Sequence, residues 1–217
     1  MSQYRIENIE DRLSLVDCWD SFSPLAVDFG SSSMRYRLEH LSAKSEMLIK
    51  AVGANRTHTI LDMTAGLGKD AFILAAFGCE VYLKERSKVL FLMLQDGLRR
   101  ASQNPDLQPI VARMHLLHGD SCQGIEGSQR FDAAMIDPMF PAKKKSALAS
   151  GEMQILQSYI GGNLSPENLL TTALDMGIPR IAVKRALRDT STYSNRSPVY
   201  SLKGRSSRFD VFMQQGI

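Results

Sequence analysis

Two short segments hold the residue types that chemistry needs. The first, Ile60-Leu61-Asp62-Met63-Thr64-Ala65-Gly66-Leu67-Gly68-Lys69-Asp70, sets an apolar run against a glycine pair and closes on two charges. The second, Ala134-Met135-Ile136-Asp137-Pro138-Met139-Phe140-Pro141, sets another apolar run against an acid, a proline and an aromatic ring. Gly66 and Gly68 lack Cβ atoms, so backbone there can approach a ligand while N–H groups at the start of a following helix stay available. That suits a nucleoside. A carboxylate beside the carbonyl of a proline-fixed turn can accept both hydrogens of an exocyclic amine and aim its lone pair at an electrophile. Asp137 and Pro138 fit that role and Phe140 could stack on the ring bearing the amine, which makes these three the candidate catalytic residues.

Other acids fall at matching places. Asp62 precedes the glycine loop, where a negative charge favours a cationic, amino-bearing ligand and disfavours a pyrophosphate. Glu85 can accept from both hydroxyls of a ribose, and Asp120 with Ser121 can address an adenine. Together with Lys69 and Asp70 at the start of the helix, these residues point to S-adenosylmethionine. An NAD(P)-binding Rossmann oxidoreductase stays open, because Gly66-x-Gly68-x-x-Ala71 also satisfies the dinucleotide fingerprint and Glu85 stands where its ribose-binding acid belongs. A P-loop is excluded, since its glycine-to-lysine spacing is missing.

The elements that must position these residues alternate between short β-type runs and helical patterns, the mark of a parallel sheet wound by crossover helices. Strands are predicted over 59–63, 80–84, 111–117, 131–136 and 180–184. Helices are predicted over 69–77, from a Ser87 cap to about Ala101, and over 154–160 and 166–176. Runs at 199–203 and 208–213, separated by Gly204-Arg205-Ser206-Ser207, read as a closing antiparallel hairpin. Before Ile60 the pattern is less regular, with an extended stretch over 24–29 and a helix over 41–52. Residues 1–50 are accordingly taken as an N-terminal extension and 51–217 as the main domain.

A chain of 217 residues suits one α/β domain with a short extension. Its 44% hydrophobic and 23% charged residues are ordinary, and a net charge of +3 does not by itself mark a nucleic-acid binder. Cys18, Cys79 and Cys122 show no Cys-x-x-Cys spacing and are expected to be reduced. His115 and His118 lie three apart on a predicted strand and so face opposite ways, which argues against a shared metal. No metal is expected. Without a long apolar run or a signal-peptide core, the protein is expected to be cytoplasmic with no membrane contact.

The second segment resembles the Asn/Asp-Pro-Pro-Tyr/Phe motif of class I methyltransferases acting on exocyclic amines of nucleobases, with Met139 in place of the second proline. A closer resemblance runs from about Val27 to Phe212. Leu61-Asp-Met-Thr-Ala-Gly-Leu-Gly-Lys-Asp-Ala-Phe72, the pair Glu85-Arg86, and Asp137-Pro-Met-Phe-Pro-Ala-Lys-Lys-Lys-Ser-Ala-Leu148 are similar to RsmJ, the bacterial 16S ribosomal RNA guanine-N2 methyltransferase family. Val183-Lys-Arg185 and Gly204 to Phe212 share in it. The Asp-Pro-Met-Phe-Pro run with its lysines is specific; the glycine loop is not.

The resemblance implies a Rossmann-like, mostly parallel seven-stranded sheet with helices on both faces. It implies methyl transfer from S-adenosylmethionine to guanosine N2 in ribosomal RNA or the small subunit, with Lys69, Asp70, Glu85, Arg86, Asp120, Ser121 and Asp137 at the cofactor. Lys143, Lys144 and Lys145 directly follow the amine motif, and Lys184 and Arg185 sit at the end of a strand with Arg180 and Arg188 nearby. All are candidate contacts to RNA phosphates. Tyr193 and Arg196 could help hold a loop of RNA. A non-catalytic RNA-binding assembly factor on the same fold is the remaining alternative.

Overall fold

The computed structural model describes residues 3–19, 21–42, 44, 46–56, 58–125, 127–138, 155, 156, 159, 165–190, 193 and 196–214. The chain opens with a small antiparallel sheet built from β1 (Tyr4–Ile9), β2 (Arg12–Asp17) and the two-residue β3 (Leu25–Ala26). β1 and β2 are joined at Glu10 and Asp11, with φ of 49° and 59°. Two successive left-handed residues make the tight turn whose twist matches that of the strands it joins. The less regular reading of this region missed the hairpin, because the turn is Glu-Asp and lacks the usual glycine.

Helices α1 (Ser32–Glu39) and α2 (Met47–Val52) follow, where one helix over 41–52 was expected. Ser31 caps α1 by accepting from the Met34 N–H at 3.4 Å. Four of the six residues of α2 are buried: Leu48, Ile49, Ala51 and Val52. Helix α2 runs across position 50.

The main sheet contains β4 (Thr59–Asp62), β5 (Glu80–Glu85), β6 (Met114–His118), β7 (Ala133–Ile136), β8 (Arg180–Ala186), β9 (Tyr200–Lys203) and β10 (Ser207–Met213). Their spatial order is β6-β5-β4-β7-β8-β10-β9. The first five are parallel, and β10 lies between β8 and β9, antiparallel to both. Chain order reverses at β4, which has β5 on one side and β7 on the other. Open sheets of this kind bind ligands at the carboxyl ends of the strands flanking that reversal.

Crossovers are supplied by α3 (Lys69–Ala76), α4 (Lys88–Ser102), the short α5 (Gln108–Val111) and α6 (Pro166–Asp175). Helix α4 shows how its sequence dictates its packing. Ser87 caps it, and Leu90, Met93, Leu94, Gly97 and Ala101 form a single buried stripe. Burying each of its large apolar side chains contributes roughly 1.5–3 kcal/mol. Gly97 is the close-approach point: a Cβ there would stand 2.5 Å from Val27 Cγ1, so the segment leading from β3 lies directly on the helix. A short helix runs up to Val111, where a strand was expected to begin, and β6 begins only at Met114.

Side chains alternate between two cores across the central strands. Ile60, Leu83, Met135 and Ala182 face α1 to α5 and the N-terminal sheet, in one cluster with Leu15, Val27, Phe29 and Leu48. Leu61, Ile136, Ile181 and Val183 face α6 with Leu169, Leu170 and Phe212. The residues before β4 therefore share a core with the main sheet. Among the described residues, no helix is long and apolar enough to cross a membrane.

Candidate active site

The strand ends place the predicted acids side by side. Asp62 ends β4, Glu85 ends β5, Asp120 follows β6 and Asp137 follows β7. After Asp62 the chain leaves the sheet through Met63 to Gly68, with φ of 56° at Gly66 and 69° at Gly68. At Gly68 the need for glycine is steric as well as conformational, since a Cβ would meet Leu94 Cδ2 at 2.7 Å. A Cβ at Gly66 would meet nothing closer than 3.8 Å, so glycine is required there by its backbone conformation and not by crowding.

Three contacts fix the loop. Glu85 Oε2 accepts from the Gly66 N–H at 3.0 Å, while its Oε1 accepts from the Ser87 N–H at 2.7 Å. Thr64 Oγ1 accepts from the Asp137 N–H at 2.7 Å. Ser121 Oγ donates to the Met63 carbonyl at 2.7 Å. The backbone of Asp137 is thus bonded to the glycine loop, and the carboxylate expected to orient an amine stands on the same rim as the loop expected to hold a cofactor.

Met63, Thr64, Lys84, Glu85, Arg86, Gly119 and Ser121 line a narrow cleft beside this loop. Asp120 caps the following turn, its Oδ1 accepting from the Cys122 N–H at 2.9 Å. Lys69 and Asp70 begin α3 at the far end of the loop. Asp62, Gly66, Gly68, Lys69, Asp70, Glu85, Arg86, Asp120, Ser121 and Asp137 therefore lie along the edge formed by the carboxyl ends of β4 to β7. Pro138 is buried. Phe140, Lys143, Lys144 and Lys145 lie outside the described residues.

The site is strongly acidic, with Asp62 and Glu85 buried and Asp137 partly open to solvent. Asp62 is 1% exposed, and burial pushes its carboxyl up to about 8, with Asp70, Asp137 and Glu85 adding negative potential and only the Thr64 N–H opposing. Burial likewise raises Glu85, against hydrogen bonds from Ser87 and Gly66. It raises Asp137 too, against the ammonium of Lys184. Burial also works against ionisation of Asp70, but Lys184 and Arg37 outweigh it and hold that carboxyl below its ordinary value. A buried acid as costly as Asp62 suits a ligand that brings its own positive charge.

Of the described RNA candidates, Lys184 and Arg185 are engaged internally, whereas Arg188 and Arg196 are exposed. Lys184 Nζ contacts Asp137 Oδ2 at 2.7 Å and Asp70 Oδ2 at 3.2 Å. Arg185 is 4% exposed, pairs with Asp189 and Asp210, and stacks its guanidinium on Tyr193 at 4.9 Å. Arg180 bonds the Ala51 carbonyl at 2.8 Å and the Lys50 carbonyl at 3.1 Å, tying α2 to β8. His115 meets Glu80 at 2.7 Å while His118 packs on Phe91, so the two histidines have separate surroundings. Among the described residues, no group of three or more His, Cys, Asp or Glu is arranged to hold a metal.

Arg37, Glu46 and Thr64 were not singled out from the sequence. Thr64 stands inside the quoted loop, so its position carried a signal. Arg37 and Glu46 carried none, because Arg37 is paired with Glu46 and with Asp70 only once α1, α2 and α3 are brought together.

Relatives share this architecture. A ribosomal RNA small subunit methyltransferase J from Aeromonas salmonicida is 41% identical over 196 residues, which is 88% of this chain and 78% of the relative. The methyltransferase J of Thioalkalivibrio sulfidiphilus is 38% identical over 199 residues, 89% of this chain and 78% of the relative. The crystal structure of a SAM-dependent methyltransferase from Neisseria gonorrhoeae matches with a TM-score of 0.78 at 30% identity, covering 99% of this chain and 84% of that one. The family model described as "Putative SAM-dependent methyltransferase" matches residues 1–214. The chain belongs to this family of S-adenosylmethionine-dependent methyltransferases.

Proposed function

We propose that the protein transfers a methyl group from S-adenosylmethionine to the exocyclic N2 of a guanosine in 16S ribosomal RNA. The observation that carries this reading is the Asp137 backbone held by Thr64 Oγ1 at 2.7 Å, which puts an amine-orienting carboxylate at the rim of the cofactor loop. The relatives named as ribosomal RNA small subunit methyltransferases supply the substrate class. The oxidoreductase and the non-catalytic alternative gain no support from these comparisons.

When bound, S-adenosylmethionine supplies an electrophilic methyl group on a sulfonium. Asp62, Asp70, Glu85 and Asp137 would surround such a cation with acids, and Glu85, Asp120 and Ser121 would hold its ribose and adenine. Asp137 accepts from the target amine and orients its lone pair, and the proton released on N–C bond formation leaves through that carboxylate or to water. A guanine amine is weakly basic, so alignment contributes more than proton abstraction. Oriented reactions of this kind gain on the order of 7–11 kcal/mol.

RNA phosphates are assigned to the basic surface beyond β8. A cavity of about 430 Å³ there is lined by Arg188, Arg196 and Lys203, all exposed, with Arg208 and Asp210 at its back. Lys143, Lys144 and Lys145 remain candidates for the same task, whereas Lys184 and Arg185 are better suited to the internal pairs they form. Purified protein incubated with labelled cofactor and small subunits or 16S RNA, followed by nucleoside mass spectrometry, should yield N2-methylguanosine. Asp137→Ala should abolish the product while largely sparing RNA affinity. A different methylated nucleoside, or none, overturns the reading.

A further inference from the structure

Five charged side chains form an unbroken line of ion pairs that starts outside the main sheet and ends at the active-site carboxylate. Glu46, at the N-cap of α2, accepts from Arg37 of α1 at 3.0 Å and 3.3 Å. Arg37 reaches Asp70 Oδ1 on α3 at 2.8 Å. The other Asp70 oxygen accepts from Lys184 Nζ of β8 at 3.2 Å, and the same ammonium meets Asp137 Oδ2 at 2.7 Å. Charge alternates along the whole line, so Arg37, Asp70 and Lys184 each have an opposite charge on both sides.

We propose that Lys184 is the positioning residue of Asp137, and that Arg37, from the segment preceding the sheet, acts through Asp70 to keep Lys184 in that place. The proposal rests on the functional reading above and deepens it: residues before β4 become part of the active-site machinery. The division of labour follows from the distances. Asp70 is shared by two cations and Lys184 by two carboxylates, yet Lys184 lies closer to Asp137 than to Asp70. Because Arg37 already satisfies one oxygen of Asp70, the ammonium is freed to favour Asp137.

The effect on Asp137 is geometric and electrostatic. Oδ2 is engaged by Lys184, and among the described residues nothing bonds Oδ1, which leaves that oxygen for the amine. The charged groups facing Asp137 are Lys184 from β8, Asp70 from α3 and Asp62 from β4, with Arg37 and Glu46 behind Asp70. Burial and the charge of Asp70 favour protonation of Asp137, and Lys184 is the cation that opposes them. A protonated Asp137 is a weaker acceptor for the amine hydrogen and cannot take up the proton that methyl transfer releases. In the folded enzyme the active anion is therefore present above its raised pKa and lost below it, and removing Lys184 moves that limit upward.

The test compares single-turnover methyl transfer against pH, at saturating cofactor and RNA, for wild type, Lys184→Met, Lys184→Arg, Arg37→Met and Arg37→Lys. Wild-type transfer establishes the functional reading independently of the variants. Lys184→Met should slow transfer about tenfold or more and shift the acid limb up by about one pH unit, with RNA affinity within about twofold. Arg37→Met should move both readouts in the same direction by less, and Arg37→Lys and Lys184→Arg should recover part of the loss. An unshifted acid limb in Lys184→Met overturns the proposal, as does a defect confined to RNA affinity and its salt dependence, which would make Lys184 a phosphate contact. If Lys184→Met fails to fold, Arg37→Met decides: an unchanged limb there removes α1 from the mechanism.

Discussion

Replacing Asp62 by Asn should make the empty enzyme more stable, and by an amount that grows with pH. Asp62 is 1% exposed and its carboxyl titrates at about 8, against an ordinary value of 3.8. The folded protein thus keeps a proton that the unfolded chain has already given up over the range between those values. Unfolding releases it, so this residue's contribution to stability is complete below pH 4, falls as pH rises and levels off above 8. Each pH unit corresponds to about 1.4 kcal/mol, which bounds the loss between pH 5 and pH 8 at about 4 kcal/mol. Relaxation around the charge will reduce it, but even a quarter of that is measurable. Asn removes the titration and keeps the oxygen that accepts from the Thr64 N–H. Urea unfolding of both proteins at pH 5, 6, 7 and 8, at fixed ionic strength and without cofactor, gives the difference directly. The gain of Asp62→Asn should widen with pH, and saturating S-adenosylmethionine should narrow it by supplying the missing positive charge. A difference that stays constant from pH 5 to pH 8 refutes the buried-anion argument.

Three further outcomes follow from the packing and charge described above. Gly97→Ala gains roughly 1 kcal/mol of helix propensity but drives a methyl group against Val27, 2.5 Å from its Cγ1 and 2.8 Å from its Cβ. The net result should be a loss of about 1–2 kcal/mol in thermal unfolding, and a raised Tm would show that the 25–29 segment yields freely. Glu85→Ala strips the Gly66 and Ser87 N–H groups of their acceptor. Stability should drop by about 2–3 kcal/mol, and calorimetry should show cofactor affinity falling with it; unchanged affinity would remove Glu85 from the cofactor site. Combined neutralisation of Arg188, Arg196 and Lys203 to Gln should lower the slope of log affinity against log salt for single-stranded RNA by about two, with S-adenosylmethionine binding as the control. An unaltered slope places the RNA elsewhere.

The catalytic edge was readable because strand, turn and helix chemistry follow one another without interruption from Ile60 to Asp70 and again at Asp137. Each acid marks a strand end, and parallel strands put their ends on one rim. What escaped is what the linear chain does not encode locally. The Glu10-Asp11 turn adopts left-handed geometry without glycine, so the hairpin before it gave no punctuation. The third strand starts at Met114 and not at Val111, which closes a short helix, because a single apolar residue at an element boundary suits either state until packing decides. Lys184 and Arg185 looked like RNA contacts since a run of cations reads as surface, and only the folded neighbours Asp70, Asp137, Asp189 and Asp210 show that both are turned inward.

The interleaving of β10 between β8 and β9 also governs how the molecule must be made. A ribosome delivers β9 before the strand that will hold it, so β9 has no ladder partner and the outer edge of β8 stands bare until residues 207–213 emerge. Those same residues bring Asp210, the counter-ion that lets Arg185 lie buried, and Phe209 and Phe212, one for each core. Sheet closure, charge neutralisation and the last apolar packing on both faces thus wait on one late segment. Loss of that strand should leave an aggregation-prone half-sheet rather than a slightly shortened enzyme.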